Sequence, residues 1–207
     1  LVRKAEGIET AGSLNILFSD KTGTITKGHL EVVEFFTADG VAIPLDQLAQ
    51  QTKLKGLIDL AIGKNSQSMY DGSGRVVGGN ATDQALSSYA VTKSQSFNSA
   101  NKFSQAYIAG AGRTFYKGAP EKFLAVAQKY LSLDGDEHPL DLESLNAKID
   151  ELAGKSMRVL AFGYSPSEMT ENAINADTVL IGLVGIRDDV RPEAREAIAE
   201  VQKAGIQ

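Results

Sequence analysis

The chain contains no cysteine. Disulfides and thiolate metal centres are therefore excluded. Histidine is nearly absent: there are two in 207 residues, His29 and His138, far apart in sequence, so a histidine metal cluster is not expected. No apolar run approaches the ~18 residues needed to span a bilayer, and the first residues do not read as a signal peptide. No block is rich in lysine and arginine, and the net charge is −5, which argues against a nucleic-acid partner. Internal repeats and low-complexity segments are also missing. What remains is an ordinary globular composition, 43% hydrophobic, long enough for one large domain or for one domain and part of another.

The chain is organised around Asp20-Lys21-Thr22-Gly23-Thr24-Ile25-Thr26. An apolar run over 14–18 precedes it and reads as a short buried strand. An aspartate at the carboxyl end of such a strand in an open α/β sheet faces the crevice where ligands bind. Lys21 adds positive charge, Thr22 and Thr24 add hydroxyls, and Gly23 lets backbone N–H groups turn toward an anion. These parts suit a carboxylate nucleophile that accepts a phosphoryl group.

The remaining elements follow from periodicity. A strand is expected over 31–37, with a hairpin turn at Asp39-Gly40 and a return strand over 41–43. A helix follows over 45–62, striped by Leu48, Leu54, Leu57, Ile58 and Ala61. Residues 63–74 read as a polar surface loop. Thr82 suits a helix N-cap, with Asp83 in the first turn. Strands over 103–109 and 113–116 form a hairpin about Gly110-Ala111-Gly112. Lys117-Gly118-Ala119-Pro120-Glu121 then leads into a helix over 121–130, Pro120 suiting its first turn. An acidic loop over 133–139, a helix over 141–153, and strands over 158–164 and 179–186 complete the set. A last helix is capped by Asp189 or Val190, with Pro192 in its first turn and a stripe of Ala194, Ile198, Val201 and Ala204.

Several of these segments resemble, in order, the motifs of the P-type ATPases, the membrane ion pumps. Asp20 to Thr26 resembles their phosphorylation motif. Lys117 to Glu121 is similar to the Lys-Gly-Ala-Pro-Glu motif at the base of their nucleotide pocket. Asp83 stands where the pumps carry a glutamate that hydrogen-bonds adenine, with Ala81 in place of the usual proline. Phe97 and Lys102 match a stacking aromatic and a lysine beside the nucleotide. Arg158 matches an arginine that approaches the phosphates, and its planar fork suits two oxygens at once. Asp188 and Arg191 match an Asp-x-x-Arg hinge where the chain returns from the nucleotide domain.

The resemblance implies an α/β architecture. Residues 29–187 would be a nucleotide-binding domain, an antiparallel sheet with flanking helices. Residues 1–28 and 188–207 would be pieces of a Rossmann-like phosphorylation domain of the haloacid dehalogenase type. Catalytic roles would fall to Asp20, Lys21, Thr22 and Thr24, with Mg²⁺ at Asp20 and Thr22. ATP would be held by Asp83, Phe97, Lys102, Lys117, Gly118, Arg158, Asp188 and Arg191. Phosphatases of the same superfamily place a second aspartate two residues after the nucleophile as a general acid/base. Thr22 cannot do that work, so the resemblance implies a lasting acyl phosphate.

The Lys117 motif points to the cation pumps, the calcium type leading, at the cytoplasmic face of a membrane. The chain begins at Leu1 and stops at Gln207, so it is expected to be a piece of a larger pump. Its partners would be ATP and the remaining phosphorylation, actuator and membrane domains. A second Mg²⁺-ligating aspartate and a phosphate-binding lysine are expected beyond Gln207, hence ATP binding without turnover. The apolar segment 14–18, short of neighbouring strands, would pack against another chain, as in a crystal dimer. A phosphatase of the same superfamily, a stand-alone nucleotide module and a protein-interaction module are the alternatives.

Overall fold

The computed structural model describes residues 13–63, 69–70, 76–78 and 93–207. The chain divides into two compact units, one of Leu1–His29 with Asp188–Gln207, the other of Leu30–Arg187. The boundary falls inside two long strands, β1 (Thr26–Phe36) and β11 (Val179–Val190).

The larger unit is an antiparallel sheet with flanking helices. After β1 come β2 (Ala42–Ile43), α1 (Leu45–Leu48), α2 (Thr52–Gly63), β3 (Met69–Tyr70) and β4 (Val76–Val77). Then follow β5 (Lys93–Gln95), β6 (Phe103–Ile108), β7 (Arg113–Gly118), α3 (Pro120–Leu124), β8 (Lys129–Leu131), β9 (Glu137–Pro139), α4 (Leu142–Gly154) and β10 (Arg158–Ser165). Among the described residues the main sheet has nine strands in the order β2-β1-β11-β10-β7-β6-β5, with the β8–β9 hairpin attached to β11. β8 joins β11 in parallel, whereas β5–β6, β6–β7, β7–β10 and β10–β11 are antiparallel.

Side chains alternate across a strand, and here both faces are covered. Phe35, Phe115, Phe162, Ile181 and Val184 pack with Leu54, Ile58 and Ala61 of α2. Their sequence neighbours Phe36, Tyr116, Ala161, Leu180 and Leu183 point the other way, into a cluster with Phe123 of α3 and Leu145 and Leu152 of α4. Burying each large side chain contributes roughly 1.5–3 kcal/mol. Asp141 caps α4, accepting from the N–H groups of Glu143 and Ser144.

Local periodicity misleads at several points. The helix expected over 45–62 is two helices. Leu48 and Leu54 are six residues apart, about 240° around one straight helix, so a single rod cannot bury both. The helix expected over 121–130 stops at Leu124, where Val126 and Ala127 both donate to the Phe123 carbonyl. Leu131, 2% exposed, is recruited instead as a strand residue. The acidic loop expected over 133–139 contains β9, which pairs with β8 across a turn at Gly135. The polar loop expected from residue 63 contains β3, which pairs with β4.

The smaller unit holds the turn Lys21–Ile25 and a helix, α5 (Ala194–Lys203). Residues 14–18 are not the buried strand that their composition suggests. Phe18 is 92% exposed and Ile16 55%. A strand needs ladder partners, and among the described residues the backbone bonds of this segment run to the chain end: Leu17 N–H donates to the Gln207 carbonyl at 2.7 Å, and Gln207 N–H to the Asn15 carbonyl at 2.9 Å. Leu17, Thr24, Ile25, Ala194, Ile198 and Val201 line an apolar groove of about 270 Å³ within this unit. Pro192 lies outside α5, whose N-cap is Glu193, because Asp189 and Val190 are still part of β11.

Candidate functional site

In the larger unit, strand register gathers several sequence-predicted residues at one end of the sheet. Gly118 ends β7 opposite Phe103 of β6 and Ala161 of β10. Lys102 immediately precedes β6, and Arg158 opens β10, exposed, three residues beyond the Gly118 register. At about 3.3 Å per residue that is roughly 10 Å of strand.

Gly118 is required by packing. A Cβ there would lie 2.5 Å from both the Lys102 carbonyl oxygen and Phe103 Cβ. That closeness allows the Ala119 N–H to donate to the Lys102 carbonyl at 2.9 Å. Lys102 itself has φ +60°, an uncommon conformation for a side chain with a Cβ. Its ammonium reaches Glu121 Oε1 at 3.0 Å, both side chains about half exposed. The Glu121 carboxyl sits below its ordinary range, chiefly because its own backbone N–H faces it and then because Lys102 does. Lys117 is buried, at 4% exposure.

Phe97 lies in the segment between β5 and β6 and is 48% exposed, so its ring is not part of the sheet core. That segment closes on itself: Lys102 N–H donates to the Asn98 carbonyl at 2.8 Å, and Asn101 N–H to Asn98 Oδ1 at 2.7 Å. Asp83 lies outside the described residues.

The smaller unit carries the other group. Asp20, Lys21, Thr22 and Thr24 are all exposed on the turn, and Gly23 adopts φ +79°. Asp188 and Arg191 fasten this turn from beneath. Asp188 accepts from the Thr26 hydroxyl at 2.5 Å and from the N–H groups of Gly28 at 3.0 Å and His29 at 3.3 Å. The Thr26 bond foremost, then the two backbone bonds and Lys21, hold its carboxyl below the usual range. Arg191 donates through Nε to the Thr26 carbonyl at 3.1 Å and through a terminal nitrogen to the Gly23 carbonyl at 3.2 Å. Its backbone N–H also donates to Ile25. Exposed oxygens at Asp20 and Thr22 above a pinned turn are the donor type that Mg²⁺ takes.

Sequence reasoning missed Asn172, Gln95 and Asn101, whose amides join two loops of the larger unit. Their one advance signal is weak: asparagine tolerates the left-handed conformation that Asn172 adopts, φ +58°.

The sequence that builds this two-sided antiparallel sheet and the Asp20 turn has relatives among known proteins. The family model for the P-type ATPase cytoplasmic domain N matches residues 53–193. The chain belongs to the P-type ATPase family. It is similar to calcium-transporting ATPase 7, plasma membrane-type, of Oryza sativa subsp. japonica, 31% identical over 238 aligned residues that cover 100% of this chain and 23% of that protein. It is also similar to calcium-transporting ATPase 2, plasma membrane-type, of Arabidopsis thaliana, 31% identical over 241 residues, with 100% and 24% covered. The calcium-transporting ATPase lmo0841 of Listeria monocytogenes is 30% identical over 233 residues, with 100% and 26% covered. The chain thus spans about a quarter of the length of these curated relatives. Among the described residues no helix is long and apolar enough to cross a membrane.

Proposed function

We propose that this chain is the ATP-handling region of a cation-transporting pump, of the calcium type that its relatives' names carry, standing at the cytoplasmic face of a membrane. Residues 29–187 bind the nucleotide; residues 1–28 and 188–207 belong to the phosphorylation domain. The observation that carries the reading is the register that puts Lys102, Lys117, Gly118 and Arg158 at one end of the sheet, with an exposed Phe97 on the adjoining segment.

Adenine sits between Phe97 and Lys117, with Asp83 as a further contact, while Gly118 lets β7 close onto the Lys102 carbonyl. Lys102 and Arg158 supply positive charge toward the nucleotide and its phosphates. In the intact pump an Asp20 carboxylate oxygen forms a bond to the γ-phosphorus as the bond to the β–γ bridging oxygen breaks, and ADP leaves. Positioning and charge stabilisation dominate such a transfer. Lys21, Thr22 and Thr24 hold the phosphoryl oxygens, while Asp188 and Arg191 keep the turn in shape. Mg²⁺, held by oxygens of Asp20 and Thr22, neutralises phosphate charge when bound. Thr22 offers no acid/base group to hydrolyse the acyl phosphate, which suits energy coupling to ion movement.

These 207 residues are expected to bind ATP without turnover, with Kd near 1 mM, about −4 kcal/mol. An NMR titration with ATP tests this. Shifts should centre on Phe97, Lys117 and Arg158 and vanish in Lys117→Glu. Because Lys117 is buried, Lys117→Met keeps the stem volume and gives a second reading. An absence of shifts in the folded wild-type chain overturns the proposal, and hydrolysis of p-nitrophenyl phosphate would favour a phosphatase instead.

A further inference from the structure

The segment that carries Phe97 and Lys102 is tied down by a residue seventy positions further along the chain. Asn172 Oδ1 accepts from Gln95 Nε2 at 2.5 Å and from Asn101 Nδ2 at 2.8 Å. Gln95 and Asn101 flank that segment, one on each side of Phe97. The Asn172 N–H returns a bond to Gln95 Oε1 at 3.1 Å. Gln105, fully buried in β6, donates one amide hydrogen to the same Gln95 oxygen at 2.6 Å and the other to the Thr170 carbonyl at 2.8 Å.

The costs at this place show that the arrangement is specified. Gln105 Oε1 is buried and has no hydrogen-bond partner among the described residues. A buried acceptor left unpaired is costly, because it has given up water and gained nothing in return. Turning the Gln105 amide over would face its oxygen with those of Gln95 and Thr170. Among the described non-glycine residues three have positive φ, and two of them, Lys102 and Asn172, are here. Strain of this kind persists where surrounding structure over-determines it, and it clusters at ligand clamps.

We infer that Asn172 is a positioning residue for nucleotide binding, its side-chain oxygen clamping both feet of the Phe97–Lys102 segment. The inference rests on the reading of Phe97 and Lys102 as nucleotide contacts. A segment held in its bound shape loses less entropy when the ligand arrives, so the clamp acts on affinity without touching ATP.

Amide hydrogen exchange and ATP titration on the 207-residue chain test it together. Asn172→Gly keeps the left-handed backbone and deletes the amide. Exchange at Asn101 and Lys102 should become about tenfold faster while β10 and β11 stay unchanged. ATP binding should weaken roughly three- to tenfold. Asn172→Asp retains the accepting oxygen and should restore the exchange pattern. Adding Asn101→Ala to Asn172→Gly should cost little more, because both cut one clamp. If Asn172→Gly does not fold, Asn101→Ala alone reads the clamp from the other side. Unchanged exchange and affinity in the folded variants, with wild type still binding ATP, overturn the clamp. A wild-type chain that binds no ATP overturns the nucleotide reading instead, and exchange then reports only on loop order.

Discussion

Thr26 and Asp188 are hydrogen-bonded at 2.5 Å although 162 positions separate them in sequence. The bond holds the Asp188 carboxyl below its ordinary range, helped by Gly28, His29 and Lys21. Since the folded pKa is the lower one, the unfolded chain takes up this proton first as pH falls. The stabilisation is therefore complete above the ordinary aspartate value of about 3.9 and fades as pH drops through the folded value. In Thr26→Val the Asp188 titration should move up toward that ordinary value. Carbon-detected NMR of the carboxyl group measures it, and coincident midpoints in the two proteins would show that the hydroxyl is not the cause.

Phe97→Ala separates core from site. The ring is 48% exposed, so its loss should change unfolding free energy by no more than about 0.5 kcal/mol. Aromatic–base stacking is worth about 1–3 kcal/mol, so ATP affinity should fall about five- to 150-fold. Urea unfolding and an ATP titration on the same sample check both halves.

Glu121 holds the Lys102 ammonium at 3.0 Å, and under the proposed function it competes with phosphate for it. Glu121→Gln should tighten ATP binding by up to about fivefold, the scale of an exposed ion pair. The gain should shrink at high salt. Calorimetry at two ionic strengths reads it, and weaker binding in the variant would mean that Glu121 serves the nucleotide rather than restraining the lysine.

Gly118→Ala sets a Cβ against the Lys102 carbonyl and Phe103, backbone that cannot yield. A loss of about 1–3 kcal/mol is expected in urea unfolding. Gly56→Ala is the control: it lies in α2 with nothing within 4 Å of the added carbon and should stabilise by about 0.5–1 kcal/mol.

Family membership was legible in two short motifs, at Asp20 and at Lys117. Most sheet strands were legible too, because β-branched and aromatic runs such as 103–108 and 179–186 bury wherever they fall. Elements whose state depends on distant partners were not. Residues 129–130 fall in the helix expected from the sequence but become strand through pairing with β11 and β9. Residues 14–18 look like strand but find no ladder among the described residues. The Asn172 clamp was invisible for the same reason: Gln95, Asn101 and Asn172 carry no pattern, and only the fold brings them to hydrogen-bonding distance.

Burial of both sheet faces makes β11 unusual in what it can tolerate. Its first eight residues are all buried, odd and even alike. Ordinary half-wetted strands accept polar replacements at every second position. A saturation screen across this stretch would instead return an unbroken band of intolerance, and inherited variation there would be confined to exchanges among apolar residues of similar bulk.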